Sequence, residues 1–519
     1  MIATRRRTPT TALVTALLAV CVLLAACSPS RSRSQAHPTT TNTTTTSTPP
    51  AAATFEKVAC NDLLHEVGQI PERTATCGYL LVPEDRAKPK GRMVRIAIAR
   101  LHSKATHPKS DPVVFLHGGP GIATLGDGIG TRLSSPVLDE RDLILFDQRG
   151  SGRSVPDLQC PERERAFVDA LADPKPYAEE LATFDAATGA CYHRLTATGV
   201  DLDQYDTEAN AADLADLRVA LGIKQWNLWG ISYGTRLALT EMRDHPEGIR
   251  SVVLDSVYPP NAGAVDDVID SSNRALTALA NGCGTDPACH AAFPDVAGDV
   301  AKVIDHLDQH PYSFRYQPPD GSQPRQLHLT GAAAAGGMFN AMYSTDLISQ
   351  LPSLIHRMAN GNYAVVPAIA QTSIPFVNDM SEGAYLSIEC ADNGARSDAA
   401  KVASLRSDPG RAAIALLAGW NVFCKDWPVT PLPRSFGDVV HSAIPSLVIA
   451  GEYDPTTPAA HSRAVAQALS HSVFVEVPRG GHSPDSECAR DVFARFLDDL
   501  DRVDARCATT AAPLPFATG

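Results

Sequence analysis

The sequence predicts an α/β fold, a mostly parallel sheet flanked by helices and interrupted by a large helical insertion. Three observations predict it. Continuous apolar runs at Pro112–Leu116, Trp226–Trp229, Ser251–Val257, Ser446–Ala450 and Ser472–Val477 have the length and branching of strands buried on both faces. Helical stretches such as Glu208–Leu221 and Thr235–Arg243 stand between such runs. Finally, one strand passes directly into a helix through Gly230-Ile231-Ser232-Tyr233-Gly234.

The chain has 519 residues, enough for a catalytic domain with a sizeable insertion, and its 44% hydrophobic and 20% charged residues suit a buried core. Net charge is −13 and no basic cluster stands outside the leader, which argues against nucleic acid as a partner. Residues 1–26 read as a signal peptide: Arg5-Arg6-Arg7, then an uncharged stretch too short for a comfortable membrane span. Leu24-Ala25-Ala26-Cys27 resembles a bacterial lipoprotein box, which implies Cys27 as a lipidated first residue and a membrane anchor. Ordinary secretion is the alternative, and the route, general or twin-arginine, stays open. Residues 27–54 are Ser/Thr/Pro-rich without apolar periodicity, the composition of a disordered tether. Ten further cysteines fall into successive close pairs, consistent with up to five local disulfides in an oxidising compartment, with connectivity open. No Cys-x-x-Cys or zinc spacing competes.

The first part of the core spans 55–258. Tyr79–Val82 is a short apolar run in a lead-in, and Met93–Leu101 alternates as a strand of an antiparallel edge. Pro112–Leu116 ends in His117-Gly118-Gly119-Pro120-Gly121, and Asp142–Phe146 ends in Asp147-Gln148-Arg149-Gly150-Ser151-Gly152-Arg153-Ser154. Thr207 reads as the cap of the helix that Gly222 closes. Residues 259–443 turn helix-like and loop-like, with no obvious parallel strand, where a lid would sit. The core resumes over 444–508 with two strands and a closing amphipathic helix, Asp485–Val503; 509–519 is a tail.

The strand, G-x-S-x-G turn and helix form the nucleophile elbow of an α/β-hydrolase fold. Its glycines let strand and helix converge and push Ser232 out of the sheet above a helix N-terminus. A serine hydroxyl needs a base to take its proton and a carboxylate to orient that base. In this fold the order is serine, acid, histidine. Gly451-Glu452-Tyr453-Asp454-Pro455 and Gly480-Gly481-His482-Ser483 follow the last two strands, at the carboxyl edge that also carries Ser232. Asp454 and His482 are therefore the candidates; Asp255 is the rival acid and Glu452 a weaker one. The oxyanion donors expected are the amides of Tyr233 and Gly119, Pro120 having none to offer. His117 reads as structural. No metal or cofactor is implied: there is no His-Glu-x-x-His, and Gly126–Gly130 is no dinucleotide fingerprint.

Together these five motifs resemble the prolyl-iminopeptidase-like serine peptidases, and most nearly the secreted tripeptidyl aminopeptidases of actinobacteria, over roughly Cys60–Cys507. The resemblance implies a serine exopeptidase acting on peptides or proteins with free N-termini, at the outer face of the cell membrane or secreted. It does not fix whether one residue or three are released. It also implies lid carboxylates that hold the substrate amine. Glu389 is the candidate and Asp392 the second, both within Ser387-Ile-Glu-Cys-Ala-Asp392. The alternatives are an esterase or lipase with the same triad, or an inactive lipoprotein that binds peptides.

Overall fold

The computed structural model describes residues 53–64, 74–126, 129–262, 266–319, 321–378, 380–396, 421–510 and 512–518. The segments expected to be a signal peptide and a tether, with Cys27, lie almost wholly outside the described residues, as do 397–420 of the insertion. Nine strands form one sheet: β1 Thr54–Val58, β2 Ala75–Pro83, β3 Met93–Leu101, β4 Val113–Leu116, β5 Leu143–Phe146, β6 Trp226–Ile231, β7 Ile249–Asp255, β10 Ser446–Gly451 and β11 Ser472–Val477. Their order is β1-β2-β3-β5-β4-β6-β7-β10-β11. From β5 through β11 every neighbouring pair is parallel, whereas β1, β2 and β3 add an antiparallel margin. Every residue of β4, β5 and β10 is buried, which is why these runs carry no alternation.

The run Tyr79–Val82 is the middle of a nine-residue strand, so the antiparallel margin is three strands deep and β3 lies inside it. The helix before the elbow is capped by Asp206, whose side chain accepts from the Ala209 amide. Thr207 is the first helical residue, and its hydroxyl turns inward to Asp392 and Tyr233. The closing helix is shorter than its pattern, Glu487–Asp498.

Between β7 and β10 the chain is mainly helical but also holds an antiparallel hairpin, β8 Tyr312–Tyr316 with β9 Arg325–Leu329. This segment has its own apolar core, including Leu279, Val303, Leu307, Leu327, Met342 and Leu351. The C-terminal tail joins that core: Phe516 is buried in it and the Ala517 amide donates to the Ser349 carbonyl at 2.9 Å. Among the described residues five disulfides pair ten cysteines in sequence order: Cys60–Cys77, Cys160–Cys191, Cys283–Cys289, Cys390–Cys424 and Cys488–Cys507. Among the described residues no helix is long and apolar enough to cross a membrane, and no cluster of side chains could hold a metal ion.

Candidate active site

Strands β4, β6, β7, β10 and β11 are consecutive and parallel, so the loops at their carboxyl ends share one edge. Ser232 follows β6 with φ 56° and ψ −124°, a left-handed conformation that non-glycine residues rarely take. The turn is held from three sides. The Ser232 amide donates to the Asp255 carbonyl at 2.9 Å, and its carbonyl accepts from the Thr235 amide at 2.9 Å and the Thr235 hydroxyl at 2.6 Å. Both elbow glycines are steric necessities. A Cβ on Gly230 would meet the Gly234 carbonyl oxygen at 2.4 Å, and one on Gly234 would meet that of Leu116 at 1.9 Å.

Asp454, fully buried after β10, is ringed by donors. Oδ1 accepts from the amides of Thr456 and Thr457 at 2.9 and 2.8 Å. Oδ2 takes the Thr457 hydroxyl at 2.7 Å and lies 2.9 Å from His482 Nδ1. Burial pushes this carboxyl up, but the histidine and these donors win and hold it below the ordinary aspartate value. The histidine loop sits close because Gly451 lacks a side chain: a Cβ there would lie 2.0 Å from the Gly481 carbonyl oxygen. Tyr343 from the insertion packs its ring 4.7 Å from that of His482.

Asp255, the rival acid, makes no hydrogen bond to the imidazole among the described residues. Its Oδ2 accepts from the Ser483 hydroxyl at 2.7 Å, and its buried Oδ1 has no hydrogen-bond partner among them. Burial pushes it up to about 7. Its part is to tether the histidine loop, and the Ser256 hydroxyl, accepting from the Ser483 amide at 2.7 Å, completes the tie. Ser232, Ser256 and Ser483 all have positive φ, a cluster of backbone strain at one place. The tie therefore joins the histidine loop to the end of β7 that also anchors the elbow. Ser232 Oγ and His482 are not hydrogen-bonded to one another among the described residues, an open geometry that catalytic pairs often close only on substrate.

Beside the serine runs the His117–Gly121 loop. A Cβ on Gly118 would lie 2.8 Å from Ser232 Cβ and 3.4 Å from Oγ, so only glycine lets this strip pass the hydroxyl. Gly119 has φ 111°, and its amide donates to no acceptor among the described residues. The Tyr233 amide opens a helix and has no intrahelical acceptor. The Tyr233 ring is buried and its hydroxyl pairs with Thr207 at 2.8 Å, so the side chain is turned into the core. The Asp147–Ser154 motif braces this loop: Asp147 accepts from the amides of Thr124, Leu125 and Arg153, and Gln148 Nε2 donates to the His117 carbonyl at 3.0 Å. Burial pulls the His117 imidazole down to about 4, so it is neutral, in keeping with a structural place.

The two insertion carboxylates differ sharply. Asp392 is fully occupied: Oδ1 accepts from the Thr207 amide at 3.3 Å, while Oδ2 takes the Thr207 hydroxyl at 2.6 Å and Arg236 at 3.2 Å. Glu389 uses only Oε2, accepting from Tyr258 Oη at 3.0 Å and Asn393 Nδ2 at 2.6 Å, and its Oε1 has no partner among the described residues. Burial pushes Glu389 up to about 7. Tyr258 ties this acid to the elbow, since its amide donates to the Thr235 hydroxyl at 2.8 Å. Thr235, Ser256 and Tyr343 carry no motif signal. Ser483 ends the Gly480–Ser483 motif without a role assigned to it there, and Thr457 lies in the Pro-Thr-Thr after Asp454.

Residues 111–274 match the family described as having the alpha/beta hydrolase fold. The chain has the α/β-hydrolase fold. Residues 414–507 match a second family, described as TAP-like protein. Among curated relatives, the tripeptidyl aminopeptidase of Streptomyces lividans is 26% identical over 493 residues, 85% of this chain and 84% of that one. Serine protease Hip1 of Mycobacterium tuberculosis is 26% identical over 416 residues, 74% of this chain and 77% of that one. A solved proline iminopeptidase from Mycobacterium smegmatis is 16% identical, with a TM-score of 0.39 over 82% of this chain and 98% of that one. The family matches and the relatives fit an α/β-hydrolase of the serine peptidase type.

Proposed function

We propose that this α/β-hydrolase is an exported serine exopeptidase that releases short peptides, or single residues, from free N-termini. Ser232 attacks the scissile carbonyl, and His482 takes its proton and passes it to the leaving amine. Asp454 holds the imidazole in the tautomer whose Nε2 is free to accept. The amides of Tyr233 and Gly119 carry the negative charge of the tetrahedral intermediate. Water then hydrolyses the acyl-enzyme.

The observation that carries the exopeptidase reading is Glu389, a buried carboxylate beside the elbow with one oxygen unengaged. An ammonium entering there gains a charge-assisted bond, whereas a blocked N-terminus leaves the carboxylate unpaired. Asp392 supports this arrangement from behind, its oxygens already given to Thr207 and Arg236. The helical insertion, 259–443, serves as the lid that shapes this pocket. Five disulfides favour an oxidising compartment. In this reading residues 1–26 direct export, Cys27 carries a lipid anchor, and 27–54 tether the enzyme to the outer membrane face. Cleavage without lipidation would release it instead.

The test is hydrolysis of matched aminoacyl and tripeptidyl anilides, each free and N-acetylated, beside a short p-nitrophenyl ester. Fast cleavage of the free peptides that acetylation abolishes is expected. Turnover of the ester alone would make the chain an esterase and remove the role of Glu389. A fluorophosphonate should label the wild type and not Ser232→Ala, whose kcat should fall by roughly 10⁶.

A further inference from the structure

Four tyrosines lie buried around the elbow and the helix Glu382–Gly394, and three have matched hydroxyls. Tyr233 pairs with Thr207, Tyr258 with Glu389, and Tyr205 donates to Glu84 at 2.7 Å. Tyr385 is the exception. It is 4% exposed, and its hydroxyl has no hydrogen-bond partner among the described residues. Buried tyrosine hydroxyls usually find one.

The place of this hydroxyl is informative. Tyr385 stands one helical turn before Glu389, so the two side chains lie on the same face of the helix. That helix begins on the oxyanion loop. The Ser381 amide donates to the Gly121 carbonyl at 2.9 Å, and a Cβ on Gly121 would come within 3.3 Å of the Tyr385 nitrogen. The groups whose charge acts on the Tyr385 hydroxyl are Glu389, Tyr258 and Tyr343, the last of which packs on His482, with Arg163 opposing them. The Tyr385 side chain therefore shares a face with Glu389 on a helix that starts against the Gly121 loop. On the exopeptidase reading, a peptide running from Glu389 to Ser232 would follow this face.

We propose that the Tyr385 hydroxyl is a substrate-binding donor, taking a backbone carbonyl in the acyl part of a bound peptide upstream of the scissile bond. This rests on the exopeptidase reading above and adds to it a preference for substrate length. Burial raises the phenol far above neutrality, so it stays protonated and able to donate. Glu389 already meets the ammonium. What remains between amine and scissile carbonyl is the peptide backbone, whose carbonyls are neutral acceptors. An aminoacyl substrate has no such carbonyl; a dipeptidyl or tripeptidyl one does.

Tyr385→Phe removes one oxygen and preserves the ring, so the fold should be retained with an unchanged or slightly raised Tm. The expected result is a kcat/KM about tenfold lower on the free tripeptidyl anilide, carried mainly by KM, as for one lost hydrogen bond that strands its partner. Turnover of the aminoacyl anilide and of the short ester should be unchanged. Equal losses on all three substrates would place the hydroxyl on the catalytic centre and overturn the proposal. No loss on any would overturn it as well, as would a wild type that cleaves aminoacyl but not peptidyl anilides. A wild type that cleaves only the ester would sink the exopeptidase reading itself, and is recognised before any variant is made.

Discussion

Asp454→Asn should disable the enzyme without unfolding it, and the geometry says why. An asparagine must place its amide nitrogen at one of two oxygen positions. The Oδ1 position faces two backbone N–H groups, from Thr456 and Thr457, which cannot turn into acceptors. The nitrogen is therefore driven to the Oδ2 position, where the Thr457 hydroxyl can reorient to accept but His482 Nδ1 must give up its proton. The imidazole then carries its hydrogen on Nε2 and cannot act as base towards Ser232. Such tautomer inversion costs about 10⁴ in kcat in other serine hydrolases, about 5 kcal/mol of transition-state stabilisation. The assay is steady-state hydrolysis of a free tripeptidyl anilide, with Tm measured in parallel. A loss below tenfold would refute the assignment of Asp454, especially if Asp255→Asn proved the more damaging change.

Glu389 at about 7 makes recognition of the free amine pH-dependent: the carboxylate is ionised above that value and neutral below it. Since a short ester needs no amine, the kcat/KM ratio of free peptide to ester should fall about fivefold from pH 7 to pH 6. A flat ratio, or the same slope in Glu389→Gln, would count against that role. Asp255 bears on stability with the opposite sense from a paired carboxylate. Its value of about 7 in the fold lies above the ordinary 3.8, so the folded chain holds the extra proton between those pH values and loses stability as pH rises towards 7. Asp255→Asn should therefore gain roughly 2–4 kcal/mol at pH 8 and almost nothing at pH 4; equal Tm shifts at both pH values would refute this. Gly234→Ala puts a methyl 1.9 Å from the rigid Leu116 carbonyl and should yield misfolded protein or lose more than 100-fold in activity, and near-normal kinetics would show that the elbow can relax.

The parts of the site legible in the sequence are those where chemistry or sterics leaves few residues eligible. Gly230, Gly234 and Gly118 stand where a Cβ would strike backbone or the nucleophile, so the motif and its reason coincide. Asp454 and Asp255 were both eligible, since each follows a buried strand, and only the direction of His482 Nδ1 separates them. Glu389 and Asp392 share one motif and part company because Thr207 and Arg236, 185 and 156 positions away, fill the coordination of Asp392. Asp206 and Thr207 are adjacent residues that can both cap, and the stronger capping preference of Asp together with the tertiary contact of Thr207 with Asp392 favours Asp206. The hairpin β8–β9 is hard to read in the sequence because Tyr312–Tyr316 and Arg325–Leu329 are only five residues each, break their apolar positions with Ser, Arg and His, and lie in a helical neighbourhood.

The pair Arg236–Asp392 bears on how a substrate gets in. Arg236 belongs to the helix behind Ser232 and Asp392 to the helix bearing Glu389, and both side chains have no exposure. Separating them would strand a charge in the interior, a cost of about 3–5 kcal/mol. By that cost only one molecule in roughly 10²–10⁴ would have this helix swung away at any moment. The helix that bears Glu389 is thus a fixed wall. On the proposed reading, peptide comes and goes over another part of the rim, past a recognition surface already in place before it arrives.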